Sequence, residues 1–205
     1  LMIKAGPARS NIANALFDRV AEARVLSNNL GAGLFGAIVE TTKRYGSGAV
    51  AVEDTVTGTL TRKRLLIGAR IFGNRFAAIT EPGEAVGVLL PNANGAIVTF
   101  FGLQSGARVA AMLNYTSGPA NIASAIRTAK IRTVISSKAF IEKAELGDLV
   151  TAINGTGATI VWLEEVRETI SMQEKLAAAM LWSMPIKPVK PEDPAVILFT
   201  SGSEG

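Results

Sequence analysis

The stretch Ala195-Val-Ile-Leu-Phe-Thr200 runs directly into Ser201-Gly-Ser-Glu-Gly205. Its first half is short, apolar and rich in β-branched residues, and it lies between a proline and a Ser/Gly-rich segment, which predicts a buried strand followed by a loop. Glycines let a backbone approach a phosphate closely, and the hydroxyls of Thr200, Ser201 and Ser203 supply further hydrogen-bond donors. The stretch therefore predicts a strand that opens into a phosphate-binding loop.

A plainer interpretation of the same residues is a flexible turn, because serine and glycine are common in loops of every kind. The loop is also not a Walker loop, since Gly-x-x-x-x-Gly-Lys-[Ser/Thr] does not occur in the sequence. The apolar strand in front of it and the proline-rich lead-in favour a nucleotide site over a simple turn.

The sequence upstream of this strand alternates between apolar runs and amphipathic segments. The predicted strands are Val86–Leu90, Val109–Leu113, a run around Val134 and Ile135, Thr159–Leu163 and the final strand. The predicted helices are Ala93–Leu103, one starting at Ser117-Gly-Pro119, one carrying Ile141, Leu149, Val150 and Ile153, and one from about Ile170 to Trp182. Repeated βα units with short loops predict an α/β fold with a doubly wound, mostly parallel sheet flanked by helices. Ligands of such sheets bind beyond the carboxyl ends of the strands, where Thr200 to Gly205 would lie.

The first third of the chain reads as helical, with one short strand. Apolar stripes predict three helices, carried by Ile12, Leu16 and Val20, then by Leu34, Phe35, Ile38, Val39, Thr42 and Tyr45, then by Leu65, Ala69, Phe72, Phe76 and Ile79. Thr61 is the expected N-cap of the third helix. Ala49–Val52 is predicted as a strand.

Composition narrows the classes of function. The 205 residues are 48% apolar, carry a net charge of +4, and contain neither cysteine nor histidine. Disulfides, a Cys-based zinc site and His-based catalysis are therefore excluded within this sequence, and the scattered basic residues argue against nucleic-acid binding. The apolar stretch 86–113 is broken by polar residues and a proline, so we expect a buried core unit rather than a membrane span. We assign no catalytic residue and no metal ligand here.

Three segments resemble the adenylate-forming (AMP-binding) synthetases. Thr200-Ser-Gly-Ser-Glu-Gly205 is similar to the first ATP-phosphate motif of that family, and Gly87-Val-Leu-Leu-Pro-Asn92 to its "GvllPN" strand. Met112-Leu-Asn-Tyr-Thr-Ser-Gly118, with Ile122–Ile126 after it, resembles the acyl-[acyl-carrier-protein] synthetase branch, whose bifunctional members also carry a 2-acylglycerophosphoethanolamine acyltransferase. Glu204 stands where most members have threonine, and this branch shares the variant. The similarity covers residues 34–205, and residues 1–33 resemble the helical connector from an upstream domain.

The resemblance implies that the parent enzyme joins ATP to a fatty acid and then passes the acyl group to acyl carrier protein. ATP and Mg²⁺ are its implied cofactors, and its implied partners are a fatty acid, acyl carrier protein and a lysophospholipid. The implied place is the cytoplasmic face of the inner membrane, with peripheral membrane contact. The residues that carry over to the ATP phosphate loop are Thr200, Ser201, Gly202, Ser203, Glu204 and Gly205. We expect the chain to be an amino-terminal fragment, truncated within this motif, soluble and inactive alone, with no cofactor bound.

Two alternatives stay open at this point: the lobe of an acyl-CoA synthetase, and a non-catalytic βα module that binds a partner or membrane through its helical amino-terminal region. Other conspicuous residues have structural interpretations. Asn114 and Tyr115 are expected to shape a turn, Asp193 another, and Trp162 and Trp182 to pack in the core or at its edge. Glu164 and Glu165 are expected on a strand with their side chains on opposite faces, which argues against a paired catalytic site.

Overall fold

A computed structural model of the chain describes residues 14–16, 18–20, 33–55 and 57–199. Its centre is a parallel sheet of five strands with helices on both faces, which confirms the predicted α/β class. Residues 14–16 and 18–20 are helical, as the stripe through Leu16 and Val20 predicts. None of the helices in the described residues is long and apolar enough to cross a membrane.

The secondary structure agrees closely with the predicted order of elements. The strands are β1 (Val50–Asp54), β2 (Gly58–Thr61), β3 (Ala85–Leu89), β4 (Val109–Met112), β5 (Thr133–Ser136), β6 (Thr159–Trp162) and β7 (Val196–Leu198). The helices are α1 (Gly33–Tyr45), α2 (Arg62–Ala77), α3 (Asn94–Ser105), α4 (Pro119–Thr128), α5 (Lys138–Lys143), α6 (Gly147–Gly155), α7 (Leu163–Glu168) and α8 (Met172–Leu181), with a 3₁₀ turn at Tyr115–Ser117.

The large sheet has the strand order β6-β5-β3-β4-β7, and every neighbouring pair is parallel. One row of the register runs through Val161, Ile135, Val88, Met112 and Leu198. The chain moves from β3 to β4 in one direction and then returns past β3 to β5. Because such crossovers are right-handed, the reversal places helices on opposite faces of the sheet.

Burial on both faces explains why the central strands are almost continuously apolar. The face covered by α4 and α6 has a core of Leu89, Ala111, Leu113, Ile122, Ile126, Ile131, Val134, Leu149, Ile153 and Ala158. The face covered by α2 and α3 has a core of Phe72, Phe76, Val86, Val88, Leu90, Leu103, Ala110, Ile135 and Leu163. A third cluster, outside the second, joins α1 to α2 through Phe35, Val39, Leu66 and Ala69, with Trp182 against its edge.

Helices α2 and α3 approach each other closely because glycines face each other at their crossing. A Cβ built on Gly73 would lie 2.3 Å from Ser105 Oγ and 2.8 Å from the Gly102 carbonyl oxygen. One built on Gly102 would lie 3.2 Å from the carbonyl oxygen of Ala69 and from Gly73 N. The two backbones are therefore in near contact at this point, and a side chain on either glycine would separate them.

The predicted strand at Ala49–Val52 is half of an antiparallel hairpin, β1–β2, and the sequence analysis missed its second strand. Gly58 begins β2 with a φ of +79°, a conformation that favours glycine. Thr61 ends the hairpin and caps α2 as predicted, since its hydroxyl accepts from Arg64 N at 3.3 Å. The β2 strand is short and polar, so it lacks the apolar run that would have revealed it.

Two helix boundaries differ from the predicted ones. The single helix expected through Ile141 and Ile153 is two, α5 and α6, with Glu145 between them at a φ of +53°. The helix expected from Ile170 begins at Met172, because Ser171 and Glu174 form a reciprocal capping box that starts it there. Short caps of this kind override an apolar periodicity that runs through them.

Several residues of the predicted apolar stripes are exposed instead, and Leu16 and Val20 of the first stripe are among them. Ile79 lies past the end of α2 with 54% of its surface exposed, while Leu34 and Tyr45 lie on the outer side of α1. Helix α8 has a charged side chain on its inner face and apolar side chains on its outer face. Its inner face makes an ion pair, Glu174 with Arg75 at 2.8 Å, whereas its outer face carries exposed Met172, Leu176 and Met180.

The prediction that Glu164 and Glu165 lie on a strand is wrong, because β6 ends at Trp162 and both glutamates are in the first turn of α7. The Glu164 carboxylate accepts from the Ser137 hydroxyl at 2.7 Å and from the amides of Lys138 and Ala139. Burial acts to raise the pKa of Glu164, but these hydrogen bonds outweigh it and lower the pKa below its ordinary value. Glu164 therefore stabilises the amino end of α5 in its ionised form.

Arg108 is a buried cation bound by backbone carbonyls. Its guanidinium donates to the hydroxyl and carbonyl of Thr80 and to the carbonyls of Ala77 and Gly106. Burial lowers its pKa, with Glu81 and Glu84 acting in the opposite direction. Ala77 ends α2 and Gly106 follows α3, so one guanidinium satisfies carbonyls at the carboxyl ends of both helices, where a positive charge is favourable.

Replacing Gly73 tests the contact between α2 and α3. We expect Gly73→Ala to lower the free energy of unfolding by about 2 kcal/mol. The added methyl forces the helices apart, and this cost exceeds the stability gained from the higher helix propensity of alanine. Urea denaturation measures the change. Gly155→Ala is the matched control: no atom lies within 4 Å of the added Cβ, so its stability should be unchanged or slightly higher. Equal losses in both variants would contradict the close contact.

Removing the Arg108 guanidinium should be costly. We expect Arg108→Met to lower the free energy of unfolding by about 3 kcal/mol, because it leaves carbonyls at two helix ends without donors. Lys43→Met, which removes an exposed cation paired with Glu40, should cost about 0.5 kcal/mol or less. Thermal and urea unfolding of the two variants provide the comparison, and near-equal midpoints would show that Arg108 is dispensable.

The lowered pKa of Glu164 predicts a pH dependence. Because the folded pKa lies below the ordinary value of 4.5, the ionised carboxylate contributes stability above that pH and loses it as pH falls through the folded pKa. Glu164→Gln should therefore be less stable than the wild type at pH 7, by about 1 kcal/mol, and the difference should shrink below about pH 4. A difference that stays constant from pH 7 to pH 3 would refute this.

Candidate functional site

The last described strand, β7, leads to the predicted phosphate loop. It runs parallel to β4 with Leu198 opposite Met112, and Phe199 packs against the core on the α4 and α6 side. The chain therefore leaves β7 at the carboxyl edge of the sheet, level with the end of β4. The predicted loop residues Thr200, Ser201, Gly202, Ser203, Glu204 and Gly205 lie outside the described residues.

The carboxyl edge next to β7 contains the switch point of the sheet. From β3 the chain crosses to β4 over one face, and from β4 it crosses to β5 over the other. The loops after β3 and β4 consequently turn away from each other and leave a crevice between them, the usual ligand position in doubly wound sheets. Because β7 pairs with β4, its loop begins beside this crevice.

The loop after β3 leads into α3, and an aspartate occupies the amino end of that helix. Asp54, at the end of β1, accepts from Asn94 N at 3.0 Å, and Asn94 Nδ2 donates to the Gly58 carbonyl at 2.8 Å. The hairpin is thereby fastened across the start of α3. The carboxylate supplies the negative charge that this helix end favours.

The loop after β4 is a self-contained turn. Asn114 Oδ1 accepts from the amide of Thr116 at 3.0 Å and from its hydroxyl at 2.8 Å, while Ser117 Oγ donates to the Asn114 carbonyl at 2.7 Å. The Tyr115 ring stands edge-on to Phe140 with 5.2 Å between centroids. The prediction that Asn114 and Tyr115 shape the turn before a helix is confirmed, since α4 begins directly after Gly118.

The far side of the edge is held by capping interactions. Ser136, at the end of β5, is buried and donates to the Leu89 carbonyl at 2.8 Å, which ties β5 to β3 at the edge. Lys138 pairs with Glu165 at 2.7 Å, and the hydrogen bond to Glu165 raises the pKa of Lys138. With Glu164 bound to the start of α5, the two glutamates serve separate structural roles.

In the part of the chain that the structure describes, no group of three or more acidic residues is placed to hold a metal ion. A large open groove of about 880 Å³ lies at the opposite, amino edge of the sheet, between α1 and the proline-rich linker 185–195. Pro82, Arg108 and Ala195 line it, and all three precede strands. The groove is therefore remote from the carboxyl edge and from the predicted loop.

The linker 185–195 is held at both of its ends by the last turn of α3. The Ser105 carbonyl accepts from Ile186 N at 2.7 Å and from Lys187 N at 3.0 Å, and Gln104 Nε2 donates to the Ala195 carbonyl at 2.7 Å. A turn between Lys190 and Asp193 lies in the middle, as predicted for Asp193. Four prolines in one connector predict an extended backbone with few hydrogen bonds, but this linker makes the hydrogen bonds just described.

Sequence reasoning missed Asp54 and Gln104, which make long-range hydrogen bonds. Asp54 bonds to the start of α3 at the carboxyl edge, and Gln104 bonds to the entrance of β7 at the amino edge. Asp54 followed by a glycine four residues later was a turn signal that pointed to a hairpin. Gln104 is a polar residue at the end of an otherwise apolar helix, and 6% of its surface is exposed. A buried polar side chain needs a partner, but the sequence did not show that the partner is the entrance of β7.

The described geometry at the carboxyl edge consists of capped helix ends, a closed turn and a strand that ends beside the switch point. Strands that end in this way preorganise the backbone donors of the loops that follow them.

Three examples illustrate the solved structures that share this fold. VinN in complex with 3-methylaspartate matches with a TM-score of 0.66 and 22% identity, over 85% of this chain and 45% of that protein. The anthranilate CoA ligase AuaEII in complex with anthranoyl-AMP matches with a TM-score of 0.64 and 19% identity, over 83% and 32%. The nonribosomal peptide synthetase FmoA3 in an AMPPNP-bound form matches with a TM-score of 0.63 and 21% identity, over 84% and 17%.

This chain spans less than half the length of each of these proteins. At these identities the likeness concerns the fold, and it confirms that the described sheet and helices are those of the amino-terminal lobe of adenylate-forming enzymes. The sequence itself matches the family described as AMP-binding enzyme over residues 39–205, most of its length. The chain therefore belongs to the AMP-binding enzyme family.

Proposed function

We propose that this chain is the amino-terminal lobe of an ATP-dependent acyl-acyl-carrier-protein synthetase and carries the first part of its triphosphate loop. The observation that carries the proposal is the position of Thr200-Ser-Gly-Ser-Glu-Gly205 directly after β7. A loop that follows a parallel strand beside the switch point is where this fold binds ligands.

In this proposal the loop holds the β- and γ-phosphates of ATP. The hydroxyls of Thr200, Ser201 and Ser203 and the backbone amides of Gly202 and Gly205 would donate to phosphate oxygens. Donors fixed around the leaving pyrophosphate lower the barrier by stabilising the charge that develops there. Enzymes of this family use ATP and Mg²⁺, and bound Mg²⁺ would neutralise phosphate charge when ATP is present.

The adenylation half of the proposal is supported by the ligands of two neighbours, anthranoyl-AMP in AuaEII and AMPPNP in FmoA3. The transfer half is proposed from the Met112–Gly118 segment, which is similar to that of acyl-[acyl-carrier-protein] synthetases. We further propose that the parent protein couples this activity to reacylation of a lysophospholipid at the cytoplasmic face of the membrane. By itself the chain is proposed to be inactive.

A close alternative keeps the adenylation chemistry and changes the acceptor or the acid. An acyl-CoA synthetase would pass the acyl group to coenzyme A, as the name of the AuaEII ligase describes for that protein. An amino acid could replace the fatty acid, since the VinN complex holds 3-methylaspartate. These alternatives share the loop, so substrate and acceptor must be tested separately from it.

The experiment is pyrophosphate release by the full-length protein with ATP, Mg²⁺ and either a long-chain fatty acid or aspartate. Each acid is tested with acyl carrier protein, with coenzyme A and with neither. We expect release with the fatty acid and acylation of the carrier protein. Acylation of coenzyme A alone would replace the proposed acceptor, and release with aspartate alone would replace the proposed acid. If no acid and acceptor gave pyrophosphate release, adenylation would be refuted and the non-catalytic βα module favoured.

A variant pair tests the loop itself. Ser203→Ala should reduce kcat/KM for ATP by about tenfold to a hundredfold, because it removes one donor to the phosphates. Thr151→Ala, which removes an exposed hydroxyl bonded within α6, should leave kcat/KM unchanged. Equal activity of the two variants in pyrophosphate release would mean that the loop does not hold the phosphates.

A further inference from the structure

The strand that carries the phosphate loop is weakly held by the sheet itself. β7 contains three residues and pairs with β4, and among the described residues it has no neighbour on its other edge. Leu198 is 71% exposed. By contrast, β3 is paired on both edges and is largely buried. A short edge strand of this kind opens locally more readily than a central strand, so something besides the sheet must fix its position.

The Gln104 carboxamide supplies that restraint. Ala195 is the residue immediately before β7. Gln104 Nε2 donates to its carbonyl at 2.7 Å, and Ala110 N of β4 donates to the same carbonyl at 3.0 Å. A second contact of Nε2, to the Arg108 carbonyl, is at 3.5 Å. The carbonyl at the entrance of β7 therefore has one donor from the sheet and one from α3.

The backbone of the linker that precedes β7 is restrained, so it cannot easily adjust to a displacement of β7. Its first residues, Ile186 and Lys187, are bonded to Ser105, the neighbour of Gln104 in α3. Between the two attachments lie Pro188, Pro191 and Pro194, which restrict the backbone. One turn of α3 thus sets the positions of both ends of the linker.

That turn is itself fixed to the core. Leu103 is fully buried, and the neighbouring Gly102 lies against the backbone of α2. Gln104 is also buried, so its amide group has little access to water and loses its partners only at a substantial cost in free energy. The packed core therefore fixes the last turn of α3, and Gln104 in that turn fixes the entrance of β7.

The register of β7 decides where the loop begins. Ile197 and Phe199 pack on one face of the sheet, whereas Leu198 points to the other. A slip of one residue would exchange these faces and displace the loop by about 3.3 Å. Displacements of about 1 Å at a reacting group can cost a hundredfold in rate.

We infer that Gln104 is a positioning residue for the phosphate loop, acting through the Ala195 carbonyl and the register of β7. The inference rests on the proposed function for its catalytic consequence, whereas its structural part concerns β7 alone. In this proposal Gln104 acts on β7 and not on the substrate. Its role is to hold the strand from which the loop starts.

The test compares Gln104→Met, which keeps the shape and removes the donor, with Thr42→Val in the full-length protein. Thr42 is equally buried, and its hydroxyl bonds to the Ile38 carbonyl at 2.7 Å within α1, so the control also loses one buried hydrogen bond. Hydrogen exchange at residues 196–199 and steady-state kinetics are measured for both variants. Gln104→Asn, which keeps the donor on a shorter side chain, replaces Gln104→Met if that variant does not fold.

We expect Gln104→Met to speed exchange at residues 196–199 by about tenfold, with exchange in β3 unchanged, and to raise KM for ATP by about tenfold while KM for the fatty acid stays within about twofold. Thr42→Val should change neither quantity. Unchanged exchange at 196–199 would overturn the inference, and so would parallel changes in both KM values. If the wild type releases no pyrophosphate, the proposed function fails, and the exchange measurement still decides whether Gln104 holds β7.

Discussion

The burial of β3 on both of its edges and both of its faces is the constraint on which the rest of the structure depends. A Cβ on Gly87, in the middle of this strand, would lie 3.0 Å from Leu113 Cδ1 and from Val134 Cγ2. The side chains of Leu113, directly after β4, and Val134 of β5 fill that space instead, so the core packs directly over the backbone of β3. The helices then have to cover both faces, which requires the reversal of direction after β4 and creates the switch point.

Charges at the ends of helices hold the layers around this sheet. The Arg108 guanidinium binds carbonyls at the carboxyl ends of α2 and α3, whereas Asp54 and Glu164 bind amides at the amino ends of α3 and α5. Each charge has the sign that the helix dipole favours. These interactions join elements far apart in sequence, so they fix the relative positions of layers that the apolar core alone would leave free to slide.

The carboxyl edge of the sheet depends both on the buried central strands and on the charged caps at helix ends. Its strands are placed by the core, and its loops are closed by hydrogen-bonded caps and turns. Asn94 Oδ1, at the start of α3, is buried there without a hydrogen-bond partner among the described residues. The edge strand β7 differs, since it depends on Gln104 of α3 for one of its few restraints. We therefore regard the last turn of α3 as the part of the fold that links core packing to the proposed loop.

Much of this fold was predictable because its signals are local. Runs such as Val86–Leu90 and Val109–Leu113 are apolar, short and bounded by turns, and each became a strand within about one residue of its predicted bounds. Elements without such signals were missed: β2 is polar, and α7 follows β6 without a break in the sequence. The position of Glu164 on α7 rather than on a strand follows from that second error.

By itself, the sequence determined the family, the class of fold and the motif Thr200–Gly205, because each depends on residues close together in the chain. Only the tertiary structure decided that Gly73 and Gly102 meet, that Arg108 joins two helix ends, and that Gln104 reaches Ala195. The physical reason is that the decisive contacts are distant in sequence: Gly73 and Gly102 are 29 positions apart, Arg108 and Ala77 31, and Gln104 and Ala195 91. Packing in three dimensions selects such partners. Periodicity and local motifs do not predict which distant residues will form such pairs.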